Sequence, residues 1–187
     1  MSVEPPLYLE ILDFWRAAGP KRWFAHNPDF DAEIKTRFET LHLAAARGEL
    51  ADWAETADGA LGLLLLIDQF PRNLYRGSAH AFATDPMARA VAARALAAGM
   101  DRAVEPILRP FFFLPFEHSE DPADQARAVA LFEHHAVETG DQDSLRWAVL
   151  HQDIVRRFGR FPHRNAALGR ETTEAEARFL AEGGFSG

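Results

Sequence analysis

The chain has 187 residues, 48% of them hydrophobic and 26% charged, with a formal net charge of −8 and no cysteine. Those values suit one soluble globular domain over residues 1–187 and exclude disulfides and thiolate metal sites. They also argue against nucleic acid or an anionic membrane as partner.

The opening MSVEPPLYLEILDF carries acids and lacks a basic stretch, so no secretory signal is expected. The longest apolar run, Leu61 to Ile67, is far too short to cross a bilayer. The expectation is a cytoplasmic, bacterial-type protein.

Strand-like alternation is absent, whereas helical spacing and helix caps recur along the whole chain. Pro5 and Pro6 open a first helix through Leu9, Leu12, Phe14 and Trp15, and Gly19-Pro20 ends it. Lys21 to Phe30 is an aromatic connector. Asp29 or Asp31 starts a helix whose Phe30, Ile34, Phe38 and Leu41 form one stripe, closed by Gly48. Trp53 leads into the Leu61 helix, which Pro71 is expected to stop, and Arg72 to Thr84 reads as a polar loop. Asp85-Pro86 caps an alanine-rich helix that ends at Gly99.

Pro106, Pro110 and Pro115 make Asp101 to Glu120 a kinked helix or two short ones. Asp121-Pro122 begins a helix through Val129, Phe132 and Val137, with His134-His135 on its surface. A further helix from about Asp143 to Phe158 has Trp147, Leu150, Ile154 and Phe158 as its apolar stripe. Thr173 and Glu176 form a capping box for the last one. About eight helices with short turns imply an all-α fold of stacked antiparallel helix pairs.

Three stretches carry chemistry. Asp68 directly follows the most apolar run, on its buried face if helical, and so needs a cation or donor. Arg72, Asn73 and Arg76 follow closely. The plain alternative is a buried ion pair that fixes a turn. The second stretch, Ile154 to Arg170, holds Arg160, His163, Arg164 and Asn165 among five arginines and no acid, a composition suited to phosphate or carboxylate. Its alternative is a basic face balancing surface acids. Phe70-Pro71-Arg72-Asn73 returns here as Phe161-Pro162-His163-Arg164-Asn165.

The third stretch, Pro115 to Glu120, offers three acid or imidazole groups, Glu117, His118 and Glu120, as a general base or metal ligand. Of these, His118 and Glu120 are taken as proton carriers, with His151 on the helix before the basic segment. Hydrogen-bonded boundary residues are the alternative. No metal-binding spacing and no cofactor motif is present. Phe111, Phe112, Phe113 and Phe116 are core.

Leu66-Ile67-Asp68-Gln69-Phe70-Pro71-Arg72-Asn73 with Tyr75-Arg76-Gly77, Leu114 to Glu120, and Arg157 to Asn165 together resemble the bacterial domain of unknown function 924. Asp13-Phe14-Trp15, Trp23-Phe24 and Leu168-Gly169-Arg170 fit the same family. The resemblance implies a tetratricopeptide-like helical fold and no established activity.

The reading is an Arg/His/Asp-lined cleft that binds, and could act on, a small anionic ligand. His118, His151 and Glu120 are the candidates for catalysis, and Asp68, Arg72, Asn73, Arg76, Arg160, His163, Arg164 and Asn165 those for binding. No metal is expected, and the oligomeric state is open. The alternative is a tetratricopeptide-like scaffold for an acidic peptide, without catalysis.

Overall fold

Apolar residues at helical spacing dominate the chain, and the computed structural model, which describes residues 6–185, is all-α, with no strand among them. The chain forms two compact units. Of the described residues, one unit comprises 6–76 and 80–112, the other 77–79 and 113–185.

The first unit contains α1 (Leu7–Ala18), α2 (Pro20–Trp23), α3 (Pro28–Ala46), α4 (Ala57–Leu64), α5 (Phe70–Leu74) and α6 (Asp85–Ala97). The short α2 lies in the expected connector, and Pro5 falls outside the described residues. α3 is capped by Asn27, whose side chain accepts the Asp29 and Phe30 N–H groups, not by Asp29 or Asp31. That leaves both acids in the first turn.

Phe30, Ile34 and Phe38 of α3 are fully buried, but the stripe continues to His42 and not Leu41. Position i+4 keeps closer to the buried face than i+3. The core is aromatic. Trp15 and Trp23 stack at 5.8 Å with 8° between their planes, and the Trp23 indole donates to Trp15 O at 2.7 Å. Phe70 packs 5.5 Å from Trp15 and 5.2 Å from Phe38. Gly62 is explained by close approach, since a Cβ there would lie 2.8 Å from the Tyr8 Cβ of α1.

Pro71 does not stop the Leu61 helix. Leu65–Gln69 widens into a π turn, in which the Phe70 N–H reaches back to Leu65 O, and α5 follows with Pro71 in its first turn. A proline lacks the N–H an α-helix would use there, and the wide turn shifts the bonding by one residue. Two buried carbonyls then turn to side chains. His42 Nδ1 donates to Leu66 O at 2.8 Å, and Thr84 Oγ1 donates to Ile67 O at 2.5 Å. The Arg72 guanidinium donates to Asp68 O.

Asp85 is the first residue of α6, one place inside its expected cap position, and its carboxylate goes to Arg72. After α6 come short 3-10 turns at Met100–Ala103 and Pro106–Leu108, then α7 (Pro110–Glu117), which contains Pro115.

The second unit is built on α8 (Pro122–Thr139) and α9 (Gln142–Phe158), joined by Gly140-Asp141 and packed against each other. α10 (Glu174–Ala181) begins with the capping box of Thr173 and Glu176. Phe132, Ile154 and Phe161 are buried, but Trp147 and Val137 are 53% and 85% exposed, and Leu150 is exposed too. The stripe expected on α9 is thus buried only at its C-terminal part. His135, expected on the surface, is buried beside Phe113, because its position faces the core one residue after exposed His134.

Candidate functional site

The first unit draws the Asp68 segment into one polar network. Asp68 is 1% exposed, with Arg72 at 3.4 Å and the Gln69 amide donating to it at 2.5 Å. Arg72 also donates both terminal nitrogens to Asp85, at 3.1 Å each. Asn73 donates to Asp31 at 2.7 Å, and Arg76 grips the same carboxylate in a fork at 3.1 to 3.2 Å. Of the binding candidates, then, Arg72, Asn73 and Arg76 are held by the protein's own acids. Sequence reasoning missed Asp31 and Asp85 as partners, since nothing local marks residues 42 and 13 positions away.

In the second unit the asparagine of the echoed motif likewise shares a carboxylate with an arginine. Glu176 receives Arg160 at 2.6 and 2.8 Å and Asn165 at 3.2 Å, as Asp31 receives an arginine and an asparagine. The Arg160 hydrogen bonds, with help from Thr173 and Asn165 and against the cost of burial, lower the Glu176 pKa to about 2. Glu120 accepts Arg170 through both oxygens, at 2.7 and 3.0 Å, and the Phe161 N–H at 2.8 Å. Burial pushes the Glu120 carboxyl up, but Arg170 and the Phe161 amide outweigh it, and the pKa lies below the ordinary value. A carboxylate held in this way is ionised at neutral pH.

His151 is differently placed. Its Nδ1 lies 2.8 Å from Trp147 O and 3.1 Å from Glu117 Oε1. Both neighbours accept, so Nδ1 carries the proton. Glu117 and His151 are both buried. Buried Gln125 holds the α7 end in place, its amide donating to Glu117 O and Ser119 O at 2.6 Å each. The His151 ring meets Phe161 at 5.4 Å, and Phe161 also touches the His163 ring at 5.6 Å and lies 4.5 Å from the Arg164 guanidinium carbon.

Three expected site residues, His151, His163 and Arg164, thus meet on one buried phenyl ring. His118 is half-buried at the end of α7. Glu117 belongs to the expected third stretch but not to its catalytic candidates, although its position four residues after Phe113 puts it on α7's buried side. Among the described residues no group of three or more acids and histidines is arranged to hold a metal ion.

A family model described as "Bacterial protein of unknown function (DUF924)" matches residues 11–184. The chain belongs to the DUF924 family. A solved structure, that of the protein of unknown function ATU0120 from Agrobacterium tumefaciens, is 50% identical with a TM-score of 0.88. That match covers 94% of this DUF924 chain and 97% of the other. No curated protein matches this DUF924 chain. None of its described helices is long and apolar enough to cross a membrane.

Proposed function

We propose that this DUF924 protein binds a small anionic ligand in its second unit and moves a proton on it. His151 is the general base or acid, Glu117 its positioning residue, and Arg164 the cation for the ligand. The reading rests on the buried Glu117 carboxylate 3.1 Å from His151 Nδ1. A carboxylate in that position fixes the tautomer, directs the Nε2 lone pair away from itself, and stabilises the imidazolium formed when Nε2 takes a proton. Arg164 and His151 pack on the same Phe161 ring, so a ligand held by the guanidinium lies near the imidazole. A cytoplasmic setting fits a chain without cysteine.

The test pairs a thermal-shift screen of phosphate, small dicarboxylates and a metabolite library with NMR titration of His151. Glu117→Gln should lower the His151 pKa, because an adjacent anion favours imidazolium. His151→Gln should keep binding but abolish turnover of whatever ligand the screen identifies. A library without one saturable shift, together with a His151 titration unmoved by Glu117→Gln, refutes the proposal.

A second reading is the tetratricopeptide-like peptide scaffold. It draws on the exposed Trp147, Val149 and Leu150 along α9, an apolar strip that a partner segment could cover.

A further inference from the structure

The segment after α10 places one ring against two histidines of the second unit, His151 and His163. Phe185 lies 4.6 Å from the His151 ring, at 66°, and 5.1 Å from the His163 ring, at 87°. It also meets Trp147 at 6.0 Å. Phe161 touches the same two imidazoles, at 5.4 and 5.6 Å. Three of these contacts, Phe185 on each histidine and Phe161 on His151, are edge-to-face, and the rings form a slot that fits a flat ring.

The backbone leading to Phe185 is fixed. Gly183 adopts a left-handed φ of 82°, and the Gly184 N–H donates to Phe179 O at 2.9 Å. Any Cβ at Gly184 would lie 2.6 Å from the Phe179 ring and carbonyl, so the chain turns there only with glycine. The anchor therefore ends at Gly184, one residue before the ring. Phe185 itself is only partly buried, so rotation of a single side chain clears the slot.

We infer that the slot between His151, Phe161 and His163 is a binding site for a planar aromatic anion, and that Phe185 is its built-in stopper. This deepens the reading given above and rests on it for the role of His151. The ring of the ligand takes the place of the Phe185 ring, and its carboxylate or phosphate turns to Arg164. A residue that filled space and did nothing more would need no glycine-anchored approach. It would also sit with the fully buried phenylalanines, not at half-burial.

Carbethoxylation of histidines by diethyl pyrocarbonate, read residue by residue by mass spectrometry, tests this with the intact chain. Exposed His26 is the internal standard. In Phe185→Ala, modification of His151 and His163 should rise severalfold relative to His26, because the covering ring is removed while the backbone stays folded. Benzoate should return both rates toward those of the parent chain, and acetate should not. A chain ending at Gly184 serves as the second variant and should behave in the same way.

Unchanged rates in both variants overturn the stopper, and rates that rise but are indifferent to benzoate overturn the aromatic site. The outcome is separable from the Glu117 titration. Rates that rise and respond to benzoate, with His151 unaffected by Glu117→Gln, uphold the slot and reject the proton-transfer role.

Discussion

The π turn before Pro71 makes a quantitative prediction about how a proline is tolerated in a buried helix. Ile67 O has no amide donor from Pro71 and is served by Thr84 Oγ1 at 2.5 Å, with Ile67 fully buried and Thr84 7% exposed. Thr84→Val keeps the volume and removes only the hydroxyl. Stranding a buried carbonyl should cost about 1–3 kcal/mol, a Tm fall of roughly 2–12 °C for a chain of this length.

Pro71→Ala restores an N–H in the same turn, able to serve a carbonyl left open there. In that background Thr84→Val should cost less than about 1 kcal/mol, a coupling well above the few tenths expected of independent sites. Urea denaturation of the four proteins, followed by circular dichroism, gives the cycle directly, provided the m-values agree. Additive costs within about 0.5 kcal/mol would mean that Thr84 is not answering the missing proline amide, and the explanation of the π turn would fall.

The Glu176 pKa of about 2 lies below its ordinary value of 4.5, so its contribution is complete above about pH 5 and is lost as the pH falls toward 2. It amounts to at most about 3 kcal/mol, less where solvent screens the partly exposed Arg160, and Glu176→Gln should flatten the acid limb of a stability-versus-pH curve. His42 is shifted the other way for its charge: burial lowers its pKa against the Leu66 hydrogen bond, so the fold should weaken as pH drops below the ordinary histidine range, and His42→Gln should remove that sensitivity in pH-dependent melting. Asp68→Ala leaves Arg72 paired with Asp85, so the cost should be about 1–3 kcal/mol, and the roughly 3–5 expected of a stranded cation should appear only when Asp85→Ala is added, as urea titration would show. Gly62→Ala drives a methyl to within 2.8 Å of Tyr8 Cβ and should cost about 1–3 kcal/mol by overpacking; a neutral or stabilised variant in the same titration would mean that α1 and α4 can part freely.

Helical periodicity, the Asp121 cap, the left-handed Gly140 and the Thr173–Glu176 box were legible because each depends on residues within about one turn of one another. The all-α class follows from such local signals, and so does the burial of Phe30, Ile34 and Phe38. The need of Asp68 for a cation was legible for a related reason, since an ionised acid on an apolar helix face is costly in any fold. What Pro71 does was not. A proline forbids one hydrogen bond, but whether the helix ends or widens depends on whether distant donors reach the freed carbonyls, and His42 and Thr84 lie 24 and 17 residues away. The arginines divide in the same way. Their type and density are local, whereas their partners Asp31, Asp85, Glu120 and Glu176 are brought up by packing, and electrostatic pairing depends on distance in space. Likewise the sequence marks His151 as a residue in need of a partner, but the choice of Glu117 over its neighbours His118 and Glu120 is made only when packing brings the Glu117 carboxylate within 3.1 Å of the His151 ring.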